Sequence, residues 1–425
     1  MDLVQELQAR NLIHDIMPGT QDQLNKEMTA GYIGFDPTAD SLHVGSMLQI
    51  TLLKRLQQAG HKPYALVGGA TGMIGDPTGK SAERNLLNRE IIDKNCAGIR
   101  KQLERFLDFD DSKPNAAVMV NNYDWLKDYT FLDFIRDIGK HITVGYMMSK
   151  DSVKNRLETG LSFTEFSYQL IQGFDFYHLF KEKGLKLQMG GADQWGNILT
   201  GTELIRRMSG GEAFAMTSPL ITKSDGGKFG KTETGTIWLD RERTSPYQFY
   251  QFWLKLADAD AEKLALSFSF KPVEEIQALI EEHRLATHQR KLQKALAEEI
   301  TELVHSKEDL QFAQQASEIL FGNTAVEALT ALNEKQLLEV MDGLPLVKTT
   351  RAILDEGFDF LALLAENKVF GSKGEARKMI QAGGFSINKE KMTAPDHKIE
   401  AGHLLNDKYL LLQKGKKDYT LLIVE

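Results

Sequence analysis

Two short stretches of this chain carry residue types suited to handling a polyphosphate. Residues 32–46 read Tyr32-Ile33-Gly34-Phe35-Asp36-Pro37-Thr38-Ala39-Asp40-Ser41-Leu42-His43-Val44-Gly45-Ser46. Glycine lets a backbone approach a ligand closely, and a helix beginning near His43 points its free N–H groups at phosphate. His43 can donate a hydrogen bond to charge developing on the phosphate. Residues 223–232 read Lys223-Ser224-Asp225-Gly226-Gly227-Lys228-Phe229-Gly230-Lys231-Thr232. Lys228 and Lys231 stand three apart among three glycines, a spacing that suits a loop closing over a polyphosphate. Alone, each stretch has an ordinary explanation: a capping or packing histidine, and a solvated surface loop. Together they are more specific.

The elements that must position these residues alternate in type. Short apolar runs at 31–35 (GYIGF), 63–67 (PYALV), 116–120 (AAVMV) and 185–189 (LKLQM) read as strands. Helix-like stretches follow at 44–59 and 198–208. Apolar strands separated by helices imply a parallel sheet covered on both faces. In that architecture ligands bind beyond the carboxyl ends of the strands. All four runs are followed there by Gly, Asp, Asn or Gln, which favours a ligand site over four ordinary turns.

From Pro246 the pattern changes. Residues 248–340 read as consecutive amphipathic helices, for example 274–288 and 290–307. The last segment reads as a small α/β module, with a helix at 375–382, a Gly383-Gly384 turn, and strands at 385–388, 409–413 and 419–424.

At 425 residues the chain is long for one domain and ample for two or three. Its 42% hydrophobic and 26% charged residues are the balance of an ordinary globular protein. Cys96 is the only cysteine, so an intramolecular disulfide and Cys-based zinc sites are excluded. No stretch approaches the roughly 20 apolar residues that a membrane helix needs. Residues 1–31 lack a basic start followed by an apolar run, and the acidic Asp2, Glu6 and Asp15 fit a transit peptide poorly. A cytoplasmic protein with no membrane partner is the expectation. The net charge is −8, but residues 367–417 hold 11 Lys/Arg against 5 Asp/Glu, an excess of six cations that leaves −14 on the remainder. An acidic body with a basic terminal module that could meet phosphates fits this asymmetry, as does a merely solvated basic surface.

The His43-Val44-Gly45-Ser46 and Lys228–Thr232 pair resembles the HIGH and KMSKS signatures of the class I aminoacyl-tRNA synthetases. The second is in the KFGKT form typical of bacterial tyrosyl-tRNA synthetases. Residues 35–43 (FDPTADSLH), 68–77 (GGATGMIGDP), 163–168 (FTEFSY) and 190–197 (GGADQWGN) are similar to that family in the expected order. The likeness spans essentially the whole chain, including an S4-like module near 360–425. Ser46 departs from the pattern, standing where the family has a histidine or often asparagine; serine still donates one hydrogen bond.

The resemblance implies a Rossmann-like α/β catalytic domain over 1–245 that includes the KFGKT loop. It implies an α-helical anticodon-side domain over 246–345, then a linker and a small α/β S4-like RNA-binding domain over 346–425. The implied activity is a tyrosine–tRNA ligase, which forms tyrosyl-adenylate from L-tyrosine and ATP and then charges tRNA(Tyr). Tyr32 and Asp175 are implied to bind the phenolic hydroxyl, and Asp76, Tyr168 and Gln172 the α-ammonium group. Tyr168, Gln172 and Asp175 share one face if this run is helical, and such a face makes a poor core. Asp36, Gly45, Ser46, Gly190, Asp193 and Gln194 are implied to contact the nucleotide or orient the reacting carboxylate, with Lys80 and Arg84 reaching pyrophosphate. His43, Thr38, Lys228, Lys231 and Thr232 are the implied catalytic set. Magnesium is expected to arrive with ATP, without a dedicated metal cage in the protein. Lys373, Arg377 and Lys378 are implied to grip tRNA. The family is homodimeric, and the apolar run 131–138 (FLDFIRDI) suits either part of an interface or a buried core helix. Two rival readings remain: another adenylylating enzyme on this scaffold, such as a tryptophanyl enzyme or a small-molecule nucleotidylyltransferase, and a non-catalytic RNA-binding descendant.

Overall fold

The computed structural model describes residues 2–76, 88–150, 153–154, 160–227, 229–232, 235–321, 329–342, 344–415 and 418–425, and leaves the side chains of Thr232 and Phe321 undescribed. The chain divides into two compact units, Met1–Thr244 with Trp253–His305, and Ser245–Phe252 with Ser306–Glu425.

The first unit is built on a six-stranded sheet. Its strands are β1 (Asp15–Ile16), β2 (Ala30–Phe35), β3 (Lys62–Val67), β4 (Val118–Asn121), β5 (Leu187–Gly191) and β6 (Phe214–Ser218), in the order β1-β6-β5-β2-β3-β4. The pairs among β2 to β6 are parallel; β1 adds an antiparallel edge to β6. All five residues of β5 and of β6 are buried, as expected for central strands covered on both faces. From β2 the chain builds outward through β3 and β4, then returns to place β5 and β6 on the other side. The β2/β5 boundary, with Tyr32 in register with Gln188, is therefore the topological switch point.

Local sequence fixes the helices that carry the side chains below. His43 is extended (φ −125°, ψ 169°) and opens the helix Val44–Gln58. Ser162 and Glu165 cap each other's backbone at the start of the helix Phe163–Lys183, and Gly184 closes it at φ 69°. Trp195–Ser209 follows β5 and ends on Gly210 in the left-handed region.

The helices Asp258–Phe268, Val273–Leu285 and Lys291–Val304 complete this unit. Two buried guanidiniums join them to the sheet-bearing part. Arg10 donates to the carbonyls of Leu266, Ser269 and Lys271, and Arg55 to that of Ser269 across 2.7 Å. Glu6 lies 2.5 Å from Arg10 and 3.5 Å from Arg55, and supplies the countercharge.

The second unit holds a five-stranded sheet of β9 (Leu346–Thr349), β10 (Phe385–Ile387), β11 (Glu390–Lys391), β12 (Tyr409–Lys414) and β13 (Asp418–Val424), after the short β7 (Lys231–Thr232) and β8 (Gly235–Thr236) hairpin of the first unit. The order is β11-β10-β12-β13-β9, antiparallel except for the β13/β9 pair. Phe360, Leu364, Phe370, Ile380, Phe385, Leu410 and Leu422 form its core. No helix among the described residues is long and apolar enough to cross a membrane.

Candidate active site

A cavity of about 300 Å³ opens where the switch point predicts a ligand site. β2 contributes Tyr32, Phe35 and the following Asp36; β5 contributes Gln188, Gly190 and Gly191. The helix Phe163–Lys183 adds Tyr168, Gln172 and Asp175, and the turn after β5 adds Asp193 and Gln194. Gly45, Gln49, Thr71 and Asp76 also line it. Ten of the residues expected to bind the amino acid or the nucleotide are therefore together: Tyr32, Asp36, Gly45, Asp76, Tyr168, Gln172, Asp175, Gly190, Asp193 and Gln194.

The floor of the cavity is unusually polar for its burial. Tyr32 is 1% exposed, packed edge-on against Phe176 with ring centroids 5.5 Å apart. Among the described residues its hydroxyl has no hydrogen-bond partner. Asp175 is 2% exposed and its two oxygens accept from Asn122 Nδ2 at 3.0 Å and Trp125 Nε1 at 2.8 Å. Burial pushes the Asp175 carboxyl up to about 7, against the two donors, which favour the anion. Burial, and after it the Asp175 charge, holds the Tyr32 phenol well above its ordinary value; Tyr168 is raised too, by burial and by Asp36, Asp76 and Asp175. Both phenols therefore keep their protons, and the pocket offers neutral O–H donors beside a carboxylate acceptor.

A second group is wired by amides. Gln194 donates to Asp76 across 2.8 Å, while Asn197 donates to Gln172 at 3.0 Å and to Gln194 at 3.3 Å. Thr71 donates to Asp36 at 3.3 Å. Asp36, Asp76 and Gln172 are thus each held by a neighbour on a different element.

The two motif stretches, 32–46 and 223–232, meet beside Gly45. Ile237 N–H donates to the Gly230 carbonyl and Val44 N–H to that of Ile237, which lays the KFGKT backbone along the start of the helix. Gly230 has φ +81°, and a Cβ there would lie 2.5 Å from Val44 Cγ2. A Cβ on Gly45 would lie 2.8 Å from His43 Cε1, so only glycine lets the imidazole fold over this turn. His43 packs on Trp238, 6.0 Å between centroids, and burial together with the Lys231 charge lowers its proton affinity. Phe229 is buried and stacks on Phe268 at 5.9 Å, and Ser224 N–H donates to Asp260, which anchors both ends of the loop. Ser46 donates its backbone N–H to the His43 carbonyl, and exposed Thr38 donates its own to Asp36. Thr38, His43, Ser46 and Lys231 do not line the cavity itself. Lys80, Arg84 and Lys228 lie outside the described residues, as does the Thr232 side chain. Among the described residues, no group of three or more His, Cys, Asp or Glu side chains is placed to hold a metal ion.

This geometry agrees with comparison to known proteins. The model of the tRNA synthetases class I (W and Y) matches residues 24–322. The chain belongs to that class I synthetase family. A second model, the Tyrosine–tRNA ligase SYY-like C-terminal domain, matches residues 336–422. The class I synthetase described here is 59% identical to a Tyrosine–tRNA ligase of Bacteroides thetaiotaomicron over 100% of both chains. It is 58% identical to that of Flavobacterium johnsoniae, over 100% of this chain and 99% of the relative. A C-terminally truncated Aspergillus nidulans mitochondrial tyrosyl-tRNA synthetase superposes with a TM-score of 0.66 at 32% identity, covering 75% of this chain and 94% of its own. The Archaeoglobus fulgidus tyrosyl-tRNA synthetase complexed with L-tyrosine shares the fold at TM-score 0.56 and 17% identity, over 74% of this chain and 99% of its own.

Several site residues of this synthetase escaped sequence reasoning. Asn122 and Trp125 lie in the NNYDW stretch after β4, and Asn197 ends GGADQWGN; each sits in a motif noted for its polarity, without its own role being visible. Gln188, buried in β5 and lining the cavity, was hidden inside an apolar run.

In the second unit, Lys373, Arg377 and Lys378 share the exposed side of the helix Lys373–Gln381. Lys373 is paired with Asp359 at 2.7 Å.

Proposed function

We propose that this class I synthetase is a tyrosine–tRNA ligase whose amino-acid pocket is the cavity floored by Tyr32 and Asp175. The observation that carries the reading is the buried Tyr32 hydroxyl, without a partner among the described residues, beside a buried carboxylate. A phenolic hydroxyl offers one proton and two lone pairs. It donates to Asp175 and accepts from Tyr32, completing both. A substrate lacking that hydroxyl leaves the buried Tyr32 hydroxyl unpaired, at a cost of roughly 1–3 kcal/mol, and denies Asp175 a third donor beside Asn122 and Trp125. Asp76, Tyr168 and Gln172 receive the α-ammonium group; Asp36, Gly45, Ser46, Gly190, Asp193 and Gln194 hold the nucleotide and orient the reacting carboxylate.

The first step needs no general base, because an amino-acid carboxylate is ionised at neutral pH. A carboxylate oxygen attacks the α-phosphorus of ATP in line, the bond to the bridging oxygen breaks, and pyrophosphate leaves. The rate comes from alignment and from charge stabilisation on the phosphates by His43, Thr38, Lys231, Thr232 and Lys228, with Lys80 and Arg84 at pyrophosphate. Magnesium enters with ATP. In the second step a ribose hydroxyl at the 3′ end of tRNA(Tyr) attacks the mixed anhydride, and AMP departs.

The proposed functional partition is a catalytic part over 1–245, an anticodon-side helical part over 246–345, and a linker with an S4-like RNA-binding module over 346–425. Lys373, Arg377 and Lys378 are placed on the tRNA backbone. The chain acts as a cytoplasmic homodimer. Support for the dimer is an apolar face on the helix Phe131–Asp137, where Phe131 is 64% and Leu132 76% exposed, extended by exposed Ile135, Val144 and Phe163.

The test is ATP–pyrophosphate exchange with each of the twenty amino acids, using purified protein and magnesium. Exchange that depends on tyrosine and is nearly absent with phenylalanine is expected. Exchange driven by tryptophan, or by none of the twenty from a folded sample, would overturn the reading.

A further inference from the structure

His178 lies three residues beyond Asp175 on the helix Phe163–Lys183, outside the cavity lining. Its imidazole is laid flat on the indole of Trp125, with centroids 4.6 Å apart and planes 15° from parallel. On the same helix, the Phe174 ring packs against the imidazole at 6.2 Å and 53°. Trp125 is the residue whose indole N–H reaches Asp175.

Trp125 also packs against the buried clusters around Tyr32 and Phe176 and around Ile138 and Phe174, and the His178 stack adds to that support. Trp125 belongs to Tyr123–Leu126, a helix of four residues with no buried member. So short a helix has little stability of its own, and the orientation of its side chains depends on what they pack against. The hydrogen bond to Asp175 is also directional: an indole N–H donates only in the plane of its ring, and the bond weakens steeply as the angle falls. A ring pressed flat on the indole restrains the tilt that would break it.

We infer that His178 is a positioning residue for the amino-acid pocket, stacking on Trp125 so that the indole N–H stays on Asp175 and the carboxylate keeps its acceptor direction. This rests on the reading of Tyr32 and Asp175 given above. Nothing in the stack requires a charged ring. Burial, with Lys183 and Lys181 nearby, holds the imidazole below its ordinary value, while Glu182 one turn on acts in the opposite sense.

The experiment compares the full-length protein with His178→Ala and His178→Phe. Pyrophosphate exchange gives KM for tyrosine and for ATP and the preference for tyrosine over phenylalanine. Solvent exchange of the Trp125 indole N–H, assigned by its loss in Trp125→Phe, is followed by NMR. His178→Ala is expected to raise KM for tyrosine about tenfold, to reduce the preference over phenylalanine and to speed indole exchange. KM for ATP stays within about twofold of the original. His178→Phe, which keeps a flat ring, restores all three. An unchanged KM for tyrosine in His178→Ala, an equal rise in both KM values, or a His178→Phe protein that behaves like His178→Ala would overturn the inference. Absence of tyrosine-dependent exchange in the unaltered protein would sink the pocket reading instead, and the indole exchange rate still decides whether His178 holds Trp125.

Discussion

Asn122 donates to Asp175 across 3.0 Å, from a residue just past the end of β4 to a carboxylate on the helix Phe163–Lys183. With Trp125 on the other oxygen, both donors favour the ionised form, yet burial outweighs them and sets the carboxyl at about 7. The folded value lies above the ordinary 3.8. The native state therefore binds this proton more tightly than the unfolded chain does. Its contribution to stability is fully present below about pH 4 and is lost as pH rises through about 7. Function runs the other way, because the substrate hydroxyl needs an acceptor. KM for tyrosine is expected to rise as pH falls through about 7, with KM for ATP flat over the same range. A pH series of exchange kinetics checks this, and a tyrosine KM that does not change between pH 6 and 8 would remove Asp175 from the hydroxyl site.

Tyr32→Phe deletes one neutral donor while leaving the ring against Phe176. Such a bond contributes about 0.5–1.5 kcal/mol, so KM for tyrosine should rise roughly three- to tenfold, with a smaller change for phenylalanine. Competition between the two amino acids in the exchange assay measures both.

Gly45→Ala places a methyl group 2.8 Å from His43 Cε1 and 2.9 Å from Nδ1. The imidazole must swing away, and an ångström of misplacement costs on the order of a hundredfold in rate. Single-turnover adenylate formation should slow accordingly while the dissociation constant for tyrosine holds. Equal rates in the two proteins would show that His43 does not act on the phosphates.

Reversing charge at Arg377 and Lys378 together should weaken tRNA charging and flatten its dependence on salt, because fewer counterions are released on binding. Pyrophosphate exchange should be untouched. Lys373→Ala is expected to do less, since its ammonium is already paired with Asp359.

Leu132→Glu puts a carboxylate at the most exposed of the large apolar residues on the helix Phe131–Asp137. Sedimentation velocity should then find monomer where the unaltered protein sediments as a dimer.

The strand ends were legible in the sequence because parallel strands are continuous apolar runs, and the polar residues after them stand out. The helix starting after His43 followed from a helix-like run beyond a polar stretch, and the shared face of Tyr168, Gln172 and Asp175 from helical spacing. β6 was missed, since Thr217 and Ser218 dilute its apolar run although both are buried. Asn122 and Trp125 fell in a polar strand end that counted towards a ligand site, but their own roles were hidden, because their bonds to Asp175 span about 50 positions and no local pattern encodes them. The attachment of the helices in 253–305 to the sheet was equally silent: Arg10 and Arg55 act on backbone carbonyls, which every residue possesses.

Those two arginines also limit how this protein can be cut. A chain stopped near 245 would keep every strand of the six-stranded sheet and lose every carbonyl that Arg10 and Arg55 now reach, leaving two cations with Glu6 beside them. Such a fragment should aggregate on expression. One extended to 305 should purify as a folded species, which makes the stretch after 245 a requirement of the six-stranded sheet's own solubility.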